Sequence, residues 1–509
     1  MEINCNRSKV VTESTFLREN CEVPIDVDFT LPDYCPDISK IFKCRAIARI
    51  SSKSINGRNV TADGSVTITV LYCDPDGLLR SYEYQYPFSK SIELSSECDS
   101  ACFRCTARCE HINCRAVNER KIDIHGAVNV LFNISCKKSD EVVSDIEDKE
   151  IEHRNSSISA SMPVGYAEKY IAIEEELEVG ENSDINILLK YDADSCISEC
   201  KIISGKLILK GDLYITASYC SEGSNEIKMF KTSVPFSQVL DMDGLTENCR
   251  CDPTSEIAYI DLKPHISGDG TAHSLLLSAK LLLSGRAFCD CELSVITDAF
   301  SRKMVADIKK ERLCVNKIVK KITENYDCKK SIDISTDGIV DILDLWCAVK
   351  SYNTAFKEGR LIIEGSLTVC AVARDNDDSI GYFEKSIDFE YNDQITTSGG
   401  SIVCEPIIKL NGCNYSLNSS NSLDVNIQLV INATVSECIK FDAVKDIEVS
   451  NEKIKVNDNC AMKIYFASEG EKIWNIARRY NASVNEIQSI NNMECETINE
   501  ARMILIPMI

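Results

Sequence analysis

The sequence predicts a mainly β protein: three tandem all-β domains, sandwich- or barrel-like, followed by a small α+β module of strand, helix, helix and strand. Three observations carry this. A glycine-led alternating segment occurs three times, at spacings of roughly 150 residues, longer than any solenoid unit. Each occurrence is preceded by a turn glycine. After residue 460 the apolar pattern changes from a period of two to the helical period.

The first of these segments is Gly64-Ser65-Val66-Thr67-Ile68-Thr69-Val70-Leu71-Tyr72. It returns as Gly211-Asp212-Leu213-Tyr214-Ile215-Thr216-Ala217-Ser218-Tyr219 and as Gly365-Ser366-Leu367-Thr368-Val369-Cys370-Ala371-Val372-Ala373. Alternation of apolar and polar residues is the pattern of a half-buried strand. Asn56-Gly57, Ser204-Gly205 and Glu358-Gly359 precede the segments, and a glycine there supplies the positive φ of a tight hairpin. An aromatic segment follows each one: Tyr86-Pro87-Phe88-Ser89, Val234-Pro235-Phe236-Ser237 and, more loosely, Ile387-Asp388-Phe389. A further alternating stretch closes each copy, over residues 128–134, 275–283 and 425–435. Short strands with frequent turn signals suit an all-β sandwich or barrel. The expected domains are 1–138, 159–298 and 322–443. An acidic linker is expected over 139–158, a basic one over 299–321, and a third over 444–461, ahead of the module at 462–509.

A chain of 509 residues is too long for one core. A net charge of -23 argues against nucleic-acid binding, which requires a cationic face to release counterions, and against docking on anionic lipid by bulk charge. Local basic stretches, Lys309-Lys310 with Arg312 and Lys317 to Lys321, are left to meet an acidic partner. No segment reaches the ~18 apolar residues of a membrane-spanning helix. Residues 1–7 show no basic start followed by an apolar run, so the expected location is a cytoplasm. In that compartment most of the 27 cysteines are expected as reduced thiols acting as small hydrophobes.

Candidate chemistry is sparse. Cys102-x-x-Cys105 has zinc-ligand spacing, and Cys109 and His111 would complete a tetrahedral site. Against it, alternate residues of a strand face opposite sides, so such close ligands diverge; isolated thiols are the plainer reading. The five histidines, His111, His125, His153, His265 and His273, lie near no nucleophile-elbow or peptidase frame. Glu174-Glu175-Glu176 reads as a solvated face, and no phosphate-binding glycine loop is present. No cofactor and no enzymatic activity are expected.

The C-terminal module is the richest stretch. Ile473, Ile476, Ala477 and Tyr480 form one apolar stripe on a short helix. Ser483 and Glu486 form a capping-box signature for a second helix bearing Val484, Ile487 and Ile490. Tyr465 to Ala467 and Met503 to Ile506 suit two flanking strands, the last ended by Pro507. The Gly-acid step at Gly470-Glu471, the Ile473-Trp474-Asn475-Ile476-Ala477 core, Asn491-Asn492 and the closing Ile506-Pro507 resemble a LysM module. That resemblance implies binding of N-acetylglucosamine polymers, peptidoglycan or chitin, through the loops beside the helices. Glu471-Lys472 stands where the family commonly has Asp-Thr, and Glu500-Ala501 replaces its glycine before the last strand. The candidate surface is Gly470, Glu471, Lys472, Trp474, Arg478, Arg479, Ile490, Asn491, Asn492 and Met493. It is basic and aromatic on an acidic protein, so it suits an acidic protein surface as well as a glycan.

In the first copy, Leu31-Pro32-Asp33-Tyr34-Cys35-Pro36-Asp37-Ile38-Ser39-Lys40-Ile41 and Asn118-Glu119-Arg120-Lys121-Ile122 resemble signatures of the SPOCS domain of spore formers. The other copies lack the Pro-Asp box. Three SPOCS-like copies followed by LysM is the layout of the clostridial spore-coat morphogenetic family of the SipL type. The resemblance implies a non-enzymatic scaffold in the mother-cell cytoplasm, at the forespore surface. Its LysM module would bind the ATPase of the coat basement layer, and other coat proteins would be further partners. The alternative is a peptidoglycan- or chitin-binding LysM protein.

Overall fold

The structure is a computed structural model that describes residues 4–98, 101–180, 185–221, 226–266, 272–334, 338–377, 379–419, 422–454 and 460–508. It is mainly β, with the expected module of two short helices following residue 460. The first copy comprises β1 (Cys5–Thr30), β2 (Lys40–Asn56), β3 (Asn59–Cys73), β4 (Leu79–Glu93), β5 (Cys102–Ala116) and β6 (Lys121–Ile146). The second comprises β7 (Ile151–Glu178), β8 (Ile187–Ile203), β9 (Lys206–Cys220), β10 (Ile227–Asp241), β11 (Arg250–Ile266) and β12 (Ala272–Ser301). The third comprises β13 (Met304–Asp333), β14 (Ile339–Lys357), β15 (Arg360–Asp375), β16 (Ile380–Gln394), β17 (Ser401–Cys404), β18 (Ile407–Ser419) and β19 (Ser422–Lys453).

All three share one topology. Strands two, three and four form an antiparallel meander, β2-β3-β4, β8-β9-β10 and β14-β15-β16. The last strand lies between the first and the fifth, as β1-β6-β5, β7-β12-β11 and β13-β19 with β17 and β18. In the third copy the fifth strand is interrupted at Glu405-Pro406, where Pro406 has no N–H to donate to the ladder. The two sheets of each copy enclose a core supplied by alternate residues. Val60, Ala62, Val66, Ile68, Val70 and Tyr72 point inward from β3, and Leu423, Val425, Ile427, Leu429, Ile431, Ala433 and Val435 from β19. The second copy buries Leu207, Leu209, Leu213, Ile215 and Ala217 in the same way.

The recurrent glycine and the recurrent aromatic prove to be one feature. Gly64 pairs with Phe88, Gly211 with Phe236 and Gly365 with Phe389 across the central hairpin. A Cβ on Gly64 would stand 2.4 Å from the Arg49 carbonyl oxygen and 2.4 Å from the Phe88 ring. At Gly211 the same atom would meet the Cys196 oxygen at 2.1 Å and Phe236 at 2.7 Å; at Gly365, the Ser351 oxygen at 2.3 Å and Phe389 at 2.8 Å. The neighbouring strand carries a register shift at this level in every copy, between Ile50 and Ser52, Ile197 and Glu199, and Val349 and Ser351. A bulge bends the strand over the hydrogen-sized gap, and the phenyl ring covers it. The turn glycines Gly57, Gly205 and Gly359 have φ of 60°, 74° and 77°, as expected of tight hairpins.

The stretches expected as linkers are strands for most of their length. Residues 139–146 and 151–158 belong to β6 and β7, and 304–321 to β13; 444–453 belongs to β19, whereas 455–459 lies outside the described residues. The chain reverses within 147–150 and 302–303 instead. The sequence reading took polarity for looseness, but these are two-stranded arms that alternate, with one face apolar. The first and last strands of each copy run past the sandwich together, and a further register shift marks the exit: Thr15/Leu17, Ala287/Phe288 and Ile318/Lys320. The three arms bury one another. Val10, Val142, Ile158, Ala160, Leu293, Val295, Leu313, Val315 and Ala443 form one shared core. Val143, Ile151, Ile296, Ala299 and Val444 form a second.

The central hairpins meet as well. Leu79, Leu189, Cys220, Trp346, Cys370 and Val372, drawn from all three copies, make a third shared cluster. Ion pairs join each copy to the next around it: Arg45 to Asp192, Lys190 to Asp344 at 3.1 Å, and Lys43 to Glu384. Lys190 also lies 4.2 Å from the Trp346 ring centroid. The copies thus close into a ring.

Alanine at Gly64, Gly211 or Gly365 is expected to destabilise the protein by about 1–3 kcal/mol, since backbone or phenyl ring must move. The melting temperature followed by circular dichroism checks this. Gly381→Ala, where a Cβ meets nothing within 4 Å, is expected to leave it unchanged.

Candidate functional site

The C-terminal module comprises β20 (Met462–Ala467), α1 (Ile473–Tyr480), α2 (Val484–Ile490) and β21 (Arg502–Pro507), with β20 and β21 antiparallel. Ile473, Ile476 and Ala477 form the buried stripe of α1, as their spacing predicts. Asn481 ends that helix in the left-handed region at φ 50°. Helix α2 begins after Ser483 as expected, but the capping-box hydrogen bond is not made: Ser483 is buried and its side chain caps nothing. Ala467, Ile487, Ile498, Ile504 and Ile506 complete the core, and Phe300 enters it from the arm of the second copy.

That intrusion decides the role of Trp474. Its ring meets Phe300 edge-on at 5.1 Å, and its Nε1–H donates to Asp298 Oδ2 at 2.7 Å. Arg478 donates to the same oxygen at 3.1 Å, and Lys310 pairs with Oδ1 at 2.5 Å. Burial would push the Asp298 carboxyl up, but the bonds from Lys310 and Trp474 outweigh it and hold the group below the ordinary carboxylate range. Trp474 and Arg478, expected on an open patch, therefore dock the module onto β12. The sequence placed Trp474 just off the helix stripe but held no sign of a partner 176 residues away.

Several other expected surface residues are committed internally. Glu471 accepts from the Tyr465 hydroxyl at 2.9 Å, and Arg479 donates to that hydroxyl at 2.8 Å. Asn491 bonds the Ile487 and Leu505 carbonyls at 2.8 and 2.7 Å and accepts from the Leu505 N–H, fastening β21 to α2. Met493 packs against the core. Gly470 donates to the Ile498 carbonyl, and Lys472 bridges Thr497, so the loops 468–472 and 491–501 lie side by side. Lys472, Ile490 and Asn492 remain exposed on this side.

A second surface was missed. The outward face of the β20–β21 sheet carries Ile464, Phe466 and Met503, exposed at 71%, 65% and 68%, with Met462 beside them and Leu505 half-buried. Phe466 stands opposite Met503 and Ile464 opposite Leu505, so the residues form one contiguous apolar patch. The signal was present: Met462 to Ala467 is apolar at nearly every position, more than one buried face requires.

The Pro-Asp box forms a loop clamped by Arg120. The guanidinium donates to the Pro32 carbonyl at 2.8 Å, the Leu31 carbonyl at 3.1 Å and Asp37 at 2.6 Å. Backbone bonds from Leu31 N–H to the Arg120 carbonyl and from Ile38 N–H to the Glu119 carbonyl complete it. The two halves of the signature are thus one structure, and it holds Tyr34 out at 82% exposure.

The zinc constellation is not assembled. Cys102 and Cys105 are buried, and Cys105 lies in the core of the first copy, where burial pushes its thiol up to about 12. Burial raises Cys102 and Cys109 too, so these thiols are held protonated. Cys109 donates to the His111 carbonyl oxygen at 3.5 Å, not toward a shared centre. Among the described residues no three His, Cys, Asp or Glu side chains are grouped to hold a metal ion. Nor are all cysteines free: Cys98–Cys136 and Cys314–Cys438 are disulfides. No described helix is long and apolar enough to cross a membrane.

Asp298→Ala is expected to weaken docking of the module by about 1–3 kcal/mol, because the Trp474 donor loses its acceptor. In a Trp346→Phe background, Trp474 emission should move to the red. In that background with Asp298 intact, the depressed carboxyl's contribution is present above its ordinary value and is lost as pH falls through the lowered one. Trp474 emission should therefore hold steady above about pH 4 and shift only below it.

Comparison with known proteins agrees with this anatomy. A family model described as SipL, SPOCS domain, matches residues 37–130 and 184–264, and a LysM domain model matches 468–507. No curated protein matches the chain. The matched SPOCS segments fall within the first two copies; the third copy lies outside them and repeats their topology. A sandwich motif present in triplicate, the arginine-clamped Pro-Asp loop and the docked strand-helix-helix-strand module make this chain a SPOCS plus LysM protein.

Proposed function

We propose that the protein is a non-enzymatic adaptor of endospore coat assembly, acting at the forespore surface in the mother cell. Its domain content fits a sporulation-related adaptor with a peptidoglycan-binding type of module. In this reading the ring of β copies is a rigid platform for other coat proteins. The LysM module tethers that platform to the morphogenetic ATPase of the coat basement. The observation that carries the reading is the apolar sheet face at Ile464, Phe466 and Met503. A glycan is recognised through hydroxyl-bonding groups and stacking, whereas an exposed patch of aliphatic and aromatic side chains suits a protein surface. The module's orientation supports this, because the Trp474–Asp298 contact fixes the helices inward on the arm.

A second reading, peptidoglycan binding, has its own support. The adjacent loops 468–472 and 491–501, with exposed Lys472 and Asn492, remain open beside the docked helices. The two readings use different faces of one module, so substitutions separate them.

The full chain carrying Ile464→Asp and Phe466→Asp is expected to lose basement-ATPase retention in a pull-down by about 30-fold, the loss of ~2 kcal/mol of interface anchor. Its sedimentation with peptidoglycan should not change. Wild-type protein that sediments with peptidoglycan but retains no ATPase would overturn the tether and favour the glycan reading.

A further inference from the structure

Cysteines meet in twos along one line of every copy. The second and fifth strands are edge strands of opposite sheets, and they lie against each other, closing one side of the sandwich. Two thiols span this seam each time: Cys44 on β2 with Cys114 on β5, Cys200 on β8 with Cys251 on β11, and Cys347 on β14 with Cys413 on β18. Cys347 Sγ donates to Cys413 Sγ at 3.1 Å. Cys44 donates to Cys114 in the same sense, from the second strand to the fifth; in the second copy the sense is reversed, and Cys251 on the fifth strand donates to Cys200 on the second.

The pairs do not descend from one fixed position. Cys44 stands opposite Val70 and Cys347 opposite Val369, both beyond the sheet glycine as counted from the hairpin turn. Cys200 stands opposite Leu209, between the turn and Gly211. What recurs is the seam, at different heights. Thiols serving only as small hydrophobes have no reason to meet in twos across the same pair of strands three times.

A comparison within the chain points the same way. Cys98, just before β5, is bonded to Cys136 on β6. At the corresponding place in the second copy, Cys249, just before β11, is in hydrogen-bonded contact with Cys289 on β12. A cysteine pair at one place in this fold is thus a disulfide in one copy and a thiol pair in another.

We propose that the three seam pairs are oxidative cross-linking sites, at which a small peroxide or disulfide oxidant joins the two sheets of each copy through one S–S bond. Each pair gives up two electrons and two protons. With hydrogen peroxide, the accepting sulfur, as thiolate, attacks one oxygen, the O–O bond breaks, and hydroxide leaves and takes up a proton. The resulting sulfenic acid is displaced by the partner thiol, and its oxygen departs as water. Two S–H groups and one H2O2 become one S–S bond and two H2O.

The environment favours that sequence. Cys114, Cys200 and Cys413 are each held below the ordinary thiol range, first by accepting the partner's S–H. Lys321 adds to this at Cys200, and Lys190 and Lys231 at Cys413. The thiolate is the attacking species. Cys200 is exposed, and Cys114 and Cys413 are half-buried, so none of the three accepting residues is fully enclosed.

Full-length protein kept reduced during purification, then treated with hydrogen peroxide or oxidised glutathione, blocked with N-ethylmaleimide and mapped by mass spectrometry, tests the proposal. Peptides joined through 44–114, 200–251 and 347–413 are expected. Oxidised wild type should melt ~5 °C or more above the oxidised Cys114→Ser/Cys200→Ser/Cys413→Ser variant, which retains the other cysteines. Single substitutions, each removing one linkage and sparing two, keep the test independent of the triple variant's folding. A map in which these six cysteines remain alkylated, carry glutathione or sulfinic acid, or pair with other partners would overturn it.

Discussion

Everything in this molecule depends on the close approach of backbone to backbone at Gly64, Gly211 and Gly365. A side chain at any of them would strike a carbonyl oxygen on the neighbouring bulged strand. Because none is there, the second strand can bend across the hairpin and bring its edge toward the fifth strand of the opposite sheet. The phenyl ring from the fourth strand covers the bare glycine and restores the packing that a missing side chain forfeits. Sheet curvature, the closed seam and the enclosed core follow from that one arrangement, repeated three times.

A second set of bulges does different work. At Thr15/Leu17, Ala287/Phe288 and Ile318/Lys320 the first and last strands leave the sandwich as an arm. Each arm alone is a two-stranded ribbon with one apolar face, too little for independent stability. Three of them supply one another's missing partner through Val142, Leu293, Leu313 and their neighbours. The same constraint explains the docking of the LysM module: Phe300 and Asp298 lie near the end of β12, where that ribbon has surface left to offer.

Much of this was legible in the sequence. The repeat, the hairpin turns, the strand alternation and the helix stripe at Ile473, Ile476 and Ala477 are local patterns, and local patterns survive in a string of letters. The association of Phe88 with Gly64 was visible as co-occurrence but not as contact. What could not be read were the relations between distant segments. Residues 139–158 are acidic and polar enough to pass for a linker, because only half of an arm's residues face its partners. Trp474 gives no sign of Asp298, nor Cys44 of Cys114. Cys102, Cys105, Cys109 and His111 are the converse case, a ligand-like spacing that a strand's alternation disperses.

The shared arm core has a consequence for synthesis. Val10 and Val142 belong to the first copy, but the Ala443 that helps to bury them lies near the end of the last β strand of the third. A ribosome delivers the amino-terminal portion first, at ≈ 5–20 residues per second. For the interval in which the remaining strands are made, the nascent first sandwich has its own interior but an uncovered apolar ribbon. During that interval two nascent chains on neighbouring ribosomes present the same sticky edge. Ordered completion of a single polypeptide, rather than encounter between separate subunits, is therefore what protects this ring from assembling with the wrong molecule.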